Sequence, residues 1–320
     1  MTAPASRPRP RPVLNTFLVL LGIAGAVAAC FFRLDLDPAK LEAKYAAEPA
    51  SHFVQAAGIR FHITDRGHGP VLVLIHGQAA NFTVWEAAAQ LLAVDHRVIN
   101  IDMPGHGLTG PDPQGRYSLP QIAEELDALV TALGIDRFAV AGNSLGGGVS
   151  QEYALAHPHK LSALVLVDPV GAPMLGPMPT AFATQTLPLI GPLVHWFTPD
   201  WIVKPVLATT FGNPSRLSAD DAEATYELLL RAGNREAQYR TMLGAIDNTL
   251  ASRMSGITTP TLLLWGTRDT WLTPDHEPWF AAHIPGIEVK MLDGLGHQPM
   301  MEDPRAVAAA IEEFLRAHRG

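Results

Sequence analysis

A chain of 320 residues with 48% hydrophobic and 17% charged side chains holds enough apolar material for a large core and too little charge to stay disordered, as one elaborated domain or two small ones. Its formal net charge of −8 offers no basic surface to neutralise phosphates, and no nucleic-acid-binding motif is present, so nucleic acid is not an expected partner. The single cysteine, Cys30, excludes an intramolecular disulfide and with it a stapled secreted scaffold.

At the N-terminus Arg7, Arg9 and Arg11 alternate with prolines ahead of an apolar run at 13–32, in which Asn15 and Thr16 are the clearly polar residues. The run matches the thickness of a bilayer core and predicts a membrane anchor over residues 1–33, with the lipid bilayer as a partner of 13–32. Two other readings stay open. Residues 26–29 could end a cleaved signal peptide, and Val27-Ala28-Ala29-Cys30 fits a lipobox that would acylate Cys30, although Phe31 and Phe32 suit neither. Charges flanking the run nearly balance, with Arg33, Lys40 and Lys44 following it. A short basic tail before a first apolar segment then favours a cytoplasmic N-terminus and an extracytoplasmic, periplasmic domain.

A linker of mixed polarity at 34–50 leads into a region, 51–320, where short apolar runs alternate with longer amphipathic ones. Strands are expected at 53–55, 60–64, 71–76, 97–102, 137–142, 163–168, 261–265 and 289–292. Residues 119–133 and 304–318 carry apolar side chains at helical spacing, as in Ile122, Leu126, Leu129, Val130 and Leu133. From about 171 to 256 the alternation breaks into a proline-rich apolar stretch followed by helical patterns at 219–232 and 235–248. The order implies an α/β fold: a mostly parallel eight-stranded sheet, helices on both faces, and a helical cap inserted at 171–256. Met174, Met178, Phe182, Leu187, Leu189, Trp196, Phe197 and Trp201 of that insertion could line an apolar pocket or simply pack it onto the core.

The strand at 137–142 runs into Gly142-Asn143-Ser144-Leu145-Gly146-Gly147 and then a helical pattern at 148–157, which is G-x-S-x-G between a strand and a helix. A turn this sharp strains the serine backbone and needs glycines, Gly142 and Gly146, where strand and helix approach. The plain alternative is a serine that merely caps a helix. As a nucleophile, Ser144 needs a base held in one tautomer by a carboxylate. Asp269 falls in the loop after the strand at 261–265, and His297 in the loop after 289–292, giving the chain order Ser, Asp, His. His76 and His106 compete for the base role and Asp168 for the acid, since all three follow strand ends as well.

From about Phe53 onward the chain resembles the α/β-hydrolase superfamily. The resemblance rests on His76-Gly77, Asp102-Met103-Pro104-Gly105-His106-Gly107, Gly142 to Gly147, Trp265 to Asp269, and Gly296-His297, in that order. It implies an oxyanion hole made by the backbone N–H groups of Gln78 and Leu145, each donor worth roughly 3 kcal/mol of barrier. A serine at 144 argues against relatives that use an aspartate nucleophile. The segments at 142–144 and 265–266 are also similar to C–C bond hydrolases of ring-cleavage products, but Gln298 stands where those enzymes carry tryptophan. The expectation is a serine esterase that cleaves a hydrophobic or lipid-like small-molecule ester with no cofactor and no metal. The rivals are a C–C bond hydrolase, a cofactor-free haloperoxidase, and a low-turnover binding protein on the same fold.

Overall fold

The computed structural model describes residues 12–176, 180–187, 191, 196–246 and 249–318. Eight strands form one sheet in the order β1-β2-β4-β3-β5-β6-β7-β8, namely β1 (Ser51–Ala56), β2 (Ile59–Gly67), β3 (Val71–Ile75), β4 (Arg97–Ile101), β5 (Phe138–Asn143), β6 (Leu161–Val167), β7 (Thr261–Gly266) and β8 (Glu288–Leu292). β1 and β2 make an antiparallel hairpin, β2 lies antiparallel to β4, and every later pairing is parallel. The hairpin closes through Ala57 and Gly58, both at positive φ, the combination a two-residue turn needs to match strand twist. The expected fold class therefore holds, with strand ends displaced by up to three residues.

The central strands are buried along almost their whole length, and entirely so in the Thr261–Gly266 run TLLLWG, because helices cover both faces of the sheet. On one face lie α4 (Leu119–Ala132) and α5 (Leu145–Ala156), packed through Ile122, Leu126, Val149 and Tyr153 against Phe138 and Trp265. On the other lie α3 (Thr83–Leu92) and a C-terminal helix, Pro304–Ala317, whose Trp85, Val307, Ile311 and Phe314 meet the opposite side chains of the same strands. α3 escapes the periodicity reading because Ala88 and Ala89 make up much of its buried face. The edge strand β8 is exposed except at Leu292, and Glu288 and Lys290 blunt it against pairing with another chain.

Between β6 and β7 the chain forms α6 (Thr180–Ala183), α7 (Asp200–Ala208), α8 (Ala219–Leu229) and α9 (Asn234–Ile246), with a 3-10 segment at Leu250–Gly256. Asn248, Met178 and Leu189 lie outside the described residues, as does the side chain of Phe182.

The N-terminal expectation is corrected. Pro12–Phe31 forms a 20-residue helix, α1, followed by α2 at Pro38–Tyr45, but among the described residues no helix is long and apolar enough to cross a membrane. This overturns the anchor at 13–32 and the periplasmic or Cys30-acylated placement built on it. Two physical features account for the misreading. Half of residues 23–32 are glycine or alanine, and the end of the run is fixed to protein. Phe31 meets Trp201 edge-on with ring centroids 5.2 Å apart, and Phe32 stacks on Trp196 at 6.0 Å. Beyond it, Leu36 N–H donates to Leu230 O (2.7 Å) and Leu36 O accepts from Ala232 N–H (3.0 Å), while Arg235 binds Arg33 O (2.8 Å) and the Asp35 carboxylate (2.6 Å).

Candidate active site

The parallel strands all point their carboxyl ends at one edge of the sheet, the edge where ligands bind in open α/β folds. Ser144 sits there between β5 and α5 with φ +53° and ψ −115°, a backbone region that residues with a side chain occupy only under constraint. Its N–H donates to Val167 O (3.0 Å), and its carbonyl accepts from the N–H groups of Gly148 (3.2 Å) and Val170 (3.0 Å). A Cβ on Gly142 would lie 2.2 Å from Gly146 O, and one on Gly146 would lie 2.5 Å from both Ile75 O and His76 O. Those are backbone atoms with no room to yield, so glycine is what lets β5, α5 and the end of β3 close together.

Two residues with unused backbone donors line the same space. Leu145 opens α5, so its N–H has no intrahelical acceptor. Gln78 follows Gly77, whose missing Cβ would stand 3.0 Å from Ser144 Cβ. Among the described residues neither backbone N–H donates to a protein acceptor, and both residues line one cavity with Ser144 and His297.

His297 Nδ1 and Asp269 Oδ2 are 2.6 Å apart, and both residues are buried. Asp269 Oδ1 accepts from the N–H groups of Trp271 (2.7 Å) and Leu272 (3.0 Å), so the loop after β7 curls around its own carboxylate. With Nδ1 donating to Asp269, Nε2 is left to accept a proton. The imidazole also stacks on Trp271, with centroids 6.1 Å apart at 13°. No hydrogen bond joins Ser144 Oγ to His297 among the described residues, although both line the same two cavities. Such bonds are commonly long before substrate binds and tighten in the complex.

The competing histidines sit elsewhere. His76 donates from Nδ1 to Gly77 O (2.8 Å) and accepts Met103 N–H at Nε2 (3.1 Å), and burial lowers its pKa. His106 donates to Pro104 O, and burial pushes it down to about 3. Neither lines the cavity around Ser144. Asp168, the competing acid, accepts from Gly266 N–H at 2.8 Å, while His297 turns to Asp269.

Two residues to which the sequence reading assigned no role hold the loops in place. Asn143 Nδ2 donates to Val167 O (3.1 Å) and to His297 O (3.0 Å), tying the nucleophile strand to the histidine loop. The Glu302 carboxylate accepts from the N–H groups of Gly212, Asn213 and Gly296, at 2.9, 2.8 and 2.9 Å. Position two of G-x-S-x-G is a weak pointer to Asn143, and nothing local marks Glu302.

The larger cavity encloses about 390 Å³ beside Ser144, walled by Met174, Met242, Ala245, Ala251, Trp271 and Leu272. A smaller one of about 80 Å³ lies across the serine, walled by Val203, Val206, Leu207 and Leu229 from α7 and α8. No lysine or arginine is among the described lining residues of either. Of the insertion's large apolar side chains, Met174 lines the larger cavity. Trp196, Phe197 and Trp201 instead meet Phe31 and Phe32, and Leu187 is exposed.

Comparison with known proteins finds a match to the family described as alpha/beta hydrolase fold over residues 70–304. The chain is 31% identical over 288 residues to an uncharacterized protein of Mycobacterium tuberculosis (strain ATCC 25618 / H37Rv), covering 84% of this chain and 82% of the relative. It is 25% identical over 264 residues to monoacylglycerol lipase abhd6-B of Xenopus laevis, covering 78% and 76%. Among solved structures, a membrane phospholipase A described as a bacterial virulence factor superposes with a TM-score of 0.72 at 26% identity, covering 97% of this chain and all of that one, 100%. Other relatives include a methyl ester esterase and a 2-hydroxymuconate semialdehyde hydrolase.

Proposed function

The chain belongs to the α/β-hydrolase family, and from that premise we propose that it is a serine esterase that hydrolyses neutral, apolar carboxylic esters through an acyl-enzyme on Ser144. Ser144 Oγ adds to the ester carbonyl carbon as His297 Nε2 takes its proton. The oxyanion is held by the N–H groups of Leu145 and Gln78. Collapse expels the alcohol, which receives the proton from His297. Water then repeats the sequence on the acyl carbon and releases the acid. The supporting observation is that His297, hydrogen-bonded to Asp269, lines the same cavities as a serine held at positive φ. Helices α7 to α9 act as the cap that closes the site.

The two cavities divide the substrate. About 390 Å³ lies near the low end of small-molecule clefts, roughly 300–1,000 Å³, and its apolar wall suits an acyl chain. The 80 Å³ space suits a short alcohol. The C–C bond hydrolase reading draws support from relatives that act on ring-cleavage products. Those products are carboxylates, and a buried carboxylate needs a cationic or multiply donating partner. The absence of lysine and arginine from the described lining favours the neutral ester.

Parallel assays on p-nitrophenyl esters of two to twelve acyl carbons and on a 2-hydroxy-6-oxo-dienoate test this reading. A kcat/KM maximum at intermediate acyl length, with the dienoate at least 100-fold poorer, is expected. The reverse order would transfer the site to C–C cleavage, and turnover of neither would leave a binding protein.

A further inference from the structure

Next to the Asp269–His297 pair lies a carboxyl group that the proposed chemistry does not use. Asp168 follows β6 at φ +44° and has no solvent exposure at all, 0%. Its Oδ1 accepts one hydrogen bond, from Gly266 N–H at 2.8 Å, while its Oδ2 is buried without a protein partner. One carboxylate oxygen from each of Asp168 and Asp269 and one ring nitrogen of His297 lie within 4.8 Å of one another. Asp269, in contrast, accepts from three donors: Trp271 N–H, Leu272 N–H and His297 Nδ1.

Two carboxylates this close and this deeply buried do not both ionise, because each charge raises the cost of the other and no solvent screens them. The proton settles on the partner with fewer donors to stabilise a charge. Three donors on Asp269 against one on Asp168 make Asp269 the anion. We propose that Asp168 is a positioning residue that stays protonated and donates its Oδ2 hydrogen to the Asp269 carboxylate, fixing the acid against His297. Burial and the Asp269 charge both push the Asp168 carboxyl well above the ordinary carboxylate range, outweighing the Gly266 hydrogen bond. The titratable groups it faces are Asp269, from the loop after β7, and His297, from the loop after β8. A carboxylic acid kept neutral at pH 7 so that it can donate is a known device of apolar sites.

The inference rests on the triad reading, and its test separates the two. Asp168→Ala removes the donor, and kcat on a short ester should fall roughly 10- to 100-fold with KM within threefold. Asp168→Asn restores the arrangement, since its carbonyl can accept from Gly266 N–H and its amide can donate to Asp269. It should recover kcat to within about fivefold and leave the acid limb of the kcat/KM profile within 0.3 pH units of wild type. An acid limb displaced by a full unit in Asp168→Asn would mean that a charge was lost, and would overturn the proposal. Infrared spectroscopy gives a readout independent of turnover. On the Ser144→Ala background with Glu125→Gln, which removes the other buried carboxylic acid, a carboxylic-acid C=O band present at pH 7 should vanish on adding Asp168→Asn. If the two spectra coincide, the proton is not on Asp168. If the band behaves as expected while Ser144→Ala retains ester turnover, the triad reading fails and the protonation stands.

Discussion

Asp269 holds His297 at 2.6 Å through Nδ1 and is itself held by the N–H groups of Trp271 and Leu272, so the carboxylate fixes both the orientation of the ring and its tautomer. Asp269→Asn keeps the size and places an amide donor where Nδ1–H needs an acceptor, turning the imidazole to the wrong tautomer. The expected loss in kcat is about 10⁴-fold, measured by steady-state hydrolysis of a p-nitrophenyl ester. Activity within tenfold of wild type would show that Asp269 does not serve His297.

The turn around Ser144 makes a prediction about stability as well as activity. In Gly146→Ala the new methyl would meet two carbonyl oxygens of the β3 end at 2.5 Å, and β3 and α5 must part to admit it. Overpacking of this kind costs about 1–3 kcal/mol, read as a lowered urea midpoint, and ester turnover should fall with the displaced donors. Gly134 is the control. It has φ +68° but open space where a Cβ would stand, so Gly134→Ala should cost only the backbone strain, about 1 kcal/mol, and leave activity unchanged.

Glu125 on α4 predicts a pH dependence of stability. Arg116 Nε lies 2.9 Å from it, but that guanidinium already grips Asp112 through two hydrogen bonds, so one cation serves two acids. Burial, opposed by Arg116 and reinforced by Asp112, pushes the Glu125 carboxyl up to about 8 from its ordinary 4.5. Between those values the folded chain keeps a proton that the unfolded chain has lost, so unfolding free energy falls as pH rises. The contribution is full below pH 4.5 and lost as pH passes 8, with a slope of up to about 1 kcal/mol per pH unit. Urea denaturation of wild type and Glu125→Gln at pH 5 to 9 checks it. The variant, permanently neutral, should gain on wild type steadily with pH, and parallel curves would contradict the assignment.

Cavity shape predicts selectivity. Ala251 lines the larger cavity, and Ala251→Phe would fill part of it. The octanoate-to-acetate ratio of kcat/KM should drop at least tenfold, since each methylene excluded from an apolar pocket is worth about 1–3 kcal/mol. An unchanged ratio would place the acyl chain elsewhere.

The sheet was legible because buried parallel strands announce themselves as unbroken apolar runs, as at Val71–Ile75 and Thr261–Gly266. Ser144 and Asp269 could be named as candidates because each follows such a run, and His297 because it follows the alternating edge strand Glu288–Leu292; loops at one sheet edge converge whatever their separation along the chain. What pattern cannot encode is contact between loops. Asn143 reaches His297 across 154 positions, and Glu302 reaches Gly212 across 90, with only the motif position hinting at the first and no local signal for the second. The protonation contrast between Asp168 and Asp269 is likewise invisible, because it depends on counting donors around each carboxyl. The apolar run at 13–32 misled for the same reason at its C-terminal end, while Phe17 to Leu21 and Ile23 stay exposed. Hydropathy states that a segment avoids water, and the pairing of Phe31 and Phe32 with Trp201 and Trp196 is a fact of tertiary structure.

Covalent labelling by a fluorophosphonate, located by peptide mass and paired with ester turnover, tests the nucleophile most directly. The account predicts one phosphonyl group on Ser144, abolished turnover in the labelled protein, and loss of both label and at least 10⁴-fold of kcat in Ser144→Ala. A label on another residue, or Ser144→Ala turning over within tenfold of wild type, would contradict it.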